Sequence, residues 1–254
     1  MSHTIFVHNK SGHNQEFEVH GWNSDKNITV PANSTTTLTA DDGSSGAIIA
    51  LHDGREGEQA EITKNGFGGN DFFDISNIVG AGGNITAQQV GDPSTLKGDP
   101  RFMQDLNEAW HNATQAEKDG LASCVHLDSS GNVVRIDPIK FNPLLDPFIR
   151  KFADGQTYIG VGAWRGSPGV ASDNNQSMAG HGDKDILVTY NDDDATPDGN
   201  PGDRNSSGNS YTIQPGDTFY GIRLRFGISV DDIVAKNPGV NPNELQVGQV
   251  IHLR

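Results

Sequence analysis

YTIQPGDTFYGIRLRFGISVDDIVAKNPGVNPNELQVGQVIHLR, residues 211–254, is the stretch in which every local signal agrees, and it predicts a small βααβ unit. Tyr211, Thr212 and Ile213 are β-formers stopped by Pro215 and Gly216, which gives a short strand and a turn. Asp217 then caps a helix whose Phe219, Ile222 and Phe226 form one apolar stripe, and Gly227 ends it. Ser229 and Asp232 have capping-box spacing ahead of a second helix, with Val230, Ile233 and Val234 as its buried face, closed by Asn237, Pro238 and Gly239. Residues 247–253 return as the strand that pairs with the first. A unit this small needs every one of those apolar side chains.

Working outward, residues 192–210 (DDDATPDGNPGDRNSSGNS) contain nothing to bury and are predicted to be a flexible acidic linker. Residues 1–191 then form a larger domain. From Thr4 to about Val90 its pattern is short β segments, 4–8, 16–22, 28–30, 35–38 and 47–51, separated by Gly, Pro, Asn and Asp. Glu16 to Trp22 alternates apolar Phe17 and Val19 with polar neighbours, as a strand with one wet face does. A helical insertion is expected at about 92–155. In it Phe102, Leu106, Ala109, Trp110 and Ala113 share a helix face, a hairpin turns at 129–132, and Pro143 and Pro147 break 141–152 into short turns. Residues 156–164 read as a strand, and 166–185, with Asp173, His181, Asp183 and Asp185, as a solvated polar loop.

Net charge is −15 and the tail carries none of it, since four acids there (Asp217, Asp231, Asp232, Glu244) balance four bases (Arg223, Arg225, Lys236, Arg254). An acidic body of this kind repels nucleic acid and anionic membrane, and neither is expected as a partner. No apolar run approaches the ~20 residues of a membrane helix, and residues 1–14 have neither the basic nor the apolar region of a signal peptide. One cysteine, Cys124, permits no internal disulfide, which suits a cytoplasmic or non-classically exported protein acting at a cell wall. The sequence contains no nucleophile elbow, zinc-protease helix or phosphate loop, and its nine histidines show no ligand spacing. No cofactor and no metal are expected.

Residues 211–254 resemble the LysM module, through the opening Tyr211-Thr212-Ile213, Pro215 to Thr218, Arg225-Phe226-Gly227, Asn237-Pro238 and Gly248 to Ile251. The resemblance implies recognition of N-acetylglucosamine chains, in chitin or in the glycan of peptidoglycan, without catalysis. It places the sugar between two loops, here Gly216, Asp217, Thr218 and Phe219, and Asn237, Pro238, Val240 and Asn241. Glycine and proline loops expose backbone hydrogen-bonding groups beside small apolar surfaces, which is what an N-acetyl group needs. N-capping alone also explains Asp217.

Residues 4–90 and the strand near 188 are similar to a thaumatin-like protein, through Glu61 in A-E-I-T-K-N, Asn70 to Ser76, and Asp185 to Tyr190. That similarity implies a β-sandwich with an acidic cleft for β-1,3-glucan, and in some members weak hydrolysis, with Glu61 and Asp74 on two cleft acids. Val79 stands where a third acid belongs, and the family's disulfide framework is absent. The whole is thus expected to be mainly β with an α insertion, a thaumatin-like β-sandwich plus a βααβ LysM module, in a carbohydrate-binding protein. The alternatives are a weak glucan hydrolase using Glu61 and Asp74, or a structural or toxin-delivery component docked by the module.

Overall fold

The computed structural model describes residues 2–22, 25–139, 142–153, 155–159, 177–192, 210–213, 219, 222, 230–241, 245–246 and 249–253. The chain divides into two compact units, residues 1–195 and 196–254. The segments 160–164 and 193–209, expected as strand and linker, lie outside the described residues.

The first unit is built on two facing sheets. Strand β1 (Ser2–Asn9) lies between β4 (Ser34–Asp41) and β13 (Ile186–Asn191), and β8 (Asn84–Gln89) and β9 (Asp92–Lys97) complete a five-stranded sheet in the order β4-β1-β13-β8-β9. The other sheet has six strands. It runs β12 (Ser177–Ala179), β7 (Phe72–Ser76), β6 (Arg55–Thr63), β5 (Ser45–His52), β2 (Gln15–Gly21), β3 (Lys26–Val30). All pairings in both sheets are antiparallel except β1 with β13, where Ile5 lies beside Ile186 and Asn9 beside Tyr190.

Alternation decides what each strand buries. In β2, Gln15, Phe17 and Val19 turn inward and Glu16, Glu18 and His20 outward. Asp53 and Gly54, both at positive φ, make the tight turn between β5 and β6 that an Asp-Gly pair favours. Side chains from both sheets then meet in one core, including Ile5, Val7, Phe17, Ile48, Ile62, Phe73, Ile75, Val188 and Tyr190. Phe17 and Tyr190 touch edge to face at 5.6 Å between ring centres. Each such large apolar side chain contributes about 1.5–3 kcal/mol on burial.

The helical block starts at Asp99 rather than at 92, because residues 92–97 belong to the sandwich as β9. Helix α1 (Phe102–Asn112) buries Phe102, Met103, Leu106 and Trp110. Helix α2 (Gln115–Leu121) was not anticipated, although Thr114 and Glu117 form a full capping box before it. The hairpin falls where expected, as β10 (Val125–Leu127) and β11 (Val133–Ile136), and helix α3 (Leu145–Ile149) is a single short turn that buries Leu145, Phe148 and Ile149. These elements share a second core, with Trp110 against Phe148.

The described part of 166–185 is pinned rather than solvated. Asp185 accepts from the Thr4 backbone N–H, His181 contacts Asp92, and Asp183 pairs with Lys64.

In the second unit β14 (Ser210–Thr212) pairs antiparallel with β15 (Val250–His252), and helix α4 spans Val230–Lys236. Phe219 and Ile222 are helical and buried. They join Tyr211, Ile213, Ile233, Ile251 and Leu253 in a separate small core. Val234, expected on the buried face of the second helix, is 39% exposed, because Ile233 alone of that adjacent pair points inward.

Candidate functional sites in the tail and on the acidic sheet face

Asn237 closes the tail unit. Its side-chain amide donates to the carbonyls of Ile233 (2.7 Å) and His252 (2.8 Å), and its oxygen accepts from the His252 N–H (2.7 Å). The end of α4 is thereby tied to the closing strand. Gly239, at φ 102°, lets the chain reverse directly afterwards. Pro238 and Asn241 are exposed on that reversal and Val240 is half-buried.

Of the eight residues expected to meet sugar, Gly216, Asp217 and Thr218 lie outside the described residues. The Phe219 side chain belongs to the core, and Asn237 is buried with its polar atoms engaged. Both side chains face the interior of the unit, and Pro238, Val240 and Asn241 form the outer surface of the described loop.

The sequence of this unit, from Tyr211 to the last residue, matches the model of the LysM domain family over residues 211–254. These residues are a LysM domain. The domain is 46% identical over 44 residues to a protein named secreted LysM effector ELP2 from Colletotrichum higginsianum (strain IMI 349063). That match covers 17% of this chain and 25% of the relative, so the chain spans about a quarter of the relative it matches. Among solved structures, one similar to this chain is a laminaripentaose-producing beta-1,3-glucanase in complex with laminaritetraose, at 12% identity and TM-score 0.33 over 54% of this chain and 53% of the other.

In the sandwich, Glu61 on β6 lies directly opposite Asp74 on β7. Both project from the outer face, because Ala60, Ile62, Phe73 and Ile75 alternate with them into the core. Directly opposed side chains in an antiparallel pair have Cβ atoms roughly 4.5–5.5 Å apart. Burial, and then the adjacent Glu61 charge and hydrogen bond, push the Asp74 carboxyl up to about 7, while Lys97 opposes the shift. The pair therefore carries a proton near neutrality.

Two other charged pairs were not anticipated. Lys64 and Asp71 are both fully buried and lie 2.6 Å apart. Glu58, also fully buried, holds His52 at 3.0 Å and accepts from the Gly82 N–H. A Cβ at Gly82 would sit 2.7 Å from the His52 ring, so glycine is needed there. Cys124 is buried and its thiol donates to the Leu121 carbonyl, while His126 contacts Asp137, so the two form no nucleophile–base pair.

Proposed function

We propose that this protein binds N-acetylglucosamine polymers, chitin or the glycan of peptidoglycan, through its LysM domain. The match over residues 211–254 carries the reading, and the relative whose name describes a secreted LysM effector supports it. The loop after α4, with Pro238, Val240 and Asn241, supplies an apolar wall and backbone groups for an N-acetyl substituent, together with Gly216, Asp217 and Thr218 of the first loop. The linked body adds effective concentration at a polymer if it binds the same wall, and on this reading the protein acts at a cell wall.

The test is retention of the full chain on insoluble chitin and peptidoglycan. Retention on at least one is expected, with release by soluble chito-oligosaccharide. Exchanging Pro238 and Asn241 together for alanine is expected to weaken it about ten-fold, or 1.4 kcal/mol. No retention on either polymer removes the proposal.

The Glu61–Asp74 pair favours a second reading, a weak β-1,3-glucan hydrolase built on a thaumatin-like body. The directly opposed carboxyls supply the two groups a retaining mechanism needs once sugar separates them: Asp74, still protonated near neutrality, gives its proton to the leaving oxygen and Glu61 attacks the sugar.

The folded pKa of Asp74 lies above its ordinary 3.8, so the fold holds this proton more tightly than the unfolded chain and loses stability as pH rises through about 7. Asp74→Asn is therefore expected to gain roughly 1–2 kcal/mol at pH 8, after allowance for solvent screening. It is also expected to abolish release of reducing ends from laminarin. A gain in stability with no wild-type sugar release leaves the pair a structural one and ends the hydrolase reading.

A further inference from the structure

We propose that Glu18, His20 and Glu56 form a binding site for a divalent transition-metal ion, with Zn2+ the best fit. Alternation along β2 puts Glu18 and His20, two residues apart, on the outer face while Phe17 and Val19 enter the core. Strand β5 separates β2 from β6, and the register shift between Ile49 and Leu51 sets Glu56 opposite Leu51. The donor atoms of the three side chains lie within 4.8 Å of one another, with His20 Nε2 2.9 Å from a Glu18 carboxylate oxygen. A tetrahedral zinc ion bound at ~2.0–2.1 Å holds its donors roughly 3.4 Å apart. Small rotamer changes of partly exposed side chains close that difference.

Charge separates this cluster from its nearest counterpart. His3, Asp42 and Asp183 also gather one imidazole and two carboxylates, but Lys64 already supplies a cation there, its ammonium 3.0 Å from Asp183. Among the described residues, neither Glu18 nor Glu56 is paired with a lysine or arginine. Two carboxylates thus share one imidazole, and a divalent ion is the natural neutraliser.

The imidazole also points correctly. Nε2 lies 2.9 Å from Glu18, and Nδ1 faces Asp25 at 4.0 Å, whose carboxylate accepts from the Gly21 N–H. A carboxylate behind a ligating histidine fixes the ring and raises its basicity. One nitrogen and two oxygens leave a fourth position for water and select zinc, cobalt or nickel over calcium and magnesium, which take oxygen ligands.

The test is titration of the chelator-stripped full chain with ZnCl2 by calorimetry, alongside Co2+ titration followed by visible absorption. One saturable site is expected, with Co2+ bands of a low-symmetry four-coordinate ion. His20→Ala and Glu56→Gln are each expected to weaken Zn2+ at least ten-fold and to remove the Co2+ bands, and His3→Ala to change neither. His20 and Glu56 are at the surface, and unchanged tryptophan emission identifies variants that have folded. Absence of a saturable site, or affinity that survives His20→Ala and Glu56→Gln, or loss in His3→Ala alone, overturns the assignment. Chitin retention plays no part in the outcome.

Discussion

Lys64→Met is expected to cost the body about 3–5 kcal/mol of stability, because it strands a buried carboxylate. Lys64 follows β6 and Asp71 precedes β7, and both side chains are fully buried. The Lys64 ammonium donates to Asp71 at 2.6 Å and to the Lys184 carbonyl, and lies 3.0 Å from Asp183. Asp71 also accepts from Gln89 (2.7 Å) and from the N–H groups of Lys184 (3.0 Å) and Asn65 (3.1 Å). Methionine fills much of the lysine's volume but leaves the Asp71 charge without its cation.

Burial pushes the Asp71 carboxyl up, yet these hydrogen bonds, led by Lys64, hold it below its ordinary range. Its contribution is therefore present above the unfolded value of about 3.9 and is lost as pH falls through the lower folded value. The measurement is guanidinium unfolding followed by tryptophan emission, since Trp22, Trp110 and Trp164 all precede the tail and report on the body alone. A loss below 1 kcal/mol at pH 7 would show that the network does not need its lysine.

Asn237→Ala is expected to abolish chitin retention without removing any side chain that meets sugar. The substitution leaves the Ile233 and His252 carbonyls and the His252 N–H without the partners they now have. Each buried polar group so stranded costs about 1–3 kcal/mol. A domain this small, with seven core residues among those described, has only a few kcal/mol to lose. The LysM domain is expected to unfold while tryptophan emission of the body stays unchanged, and amide NMR dispersion checks this. A domain that remains folded but no longer binds would instead make Asn237 a sugar contact.

What was legible depended on distance along the chain. The tail could be read because caps, stripes and turns are local, and Tyr211, Ile213, Phe219, Ile222 and Ile233 all reach the core. Adjacent Ile233 and Val234 could not be ranked, since a helix face is wider than one residue and packing decides its centre. The strands β1 to β5 fell on segments read from local pattern, but β9 was hidden inside the expected helical block, and the strand order was not legible, because nothing near Ile5 announces Ile186. The Thr114 and Glu117 spacing is the local signal for α2.

Buried charge left no trace in the sequence. Lys64 and Glu58 look like surface residues until the fold supplies Asp71 and His52. Glu18 and His20 stand at a visible spacing, yet Glu56 joins them only through a register shift two strands away. Glu61 and Asp74 were singled out by resemblance, and it is the burial of Asp74, with Glu61 directly opposite, that keeps a proton on the pair.

The parallel pairing of β1 with β13 has a consequence for biosynthesis. Until residues 186–191 have left the ribosome, β1 and β8 each keep a bare edge where β13 will insert. Nearly the whole body must wait, half-zipped, for its last strand, and a nascent chain halted earlier would offer two sticky borders to its neighbours. The short domain that follows emerges only after that seam can close.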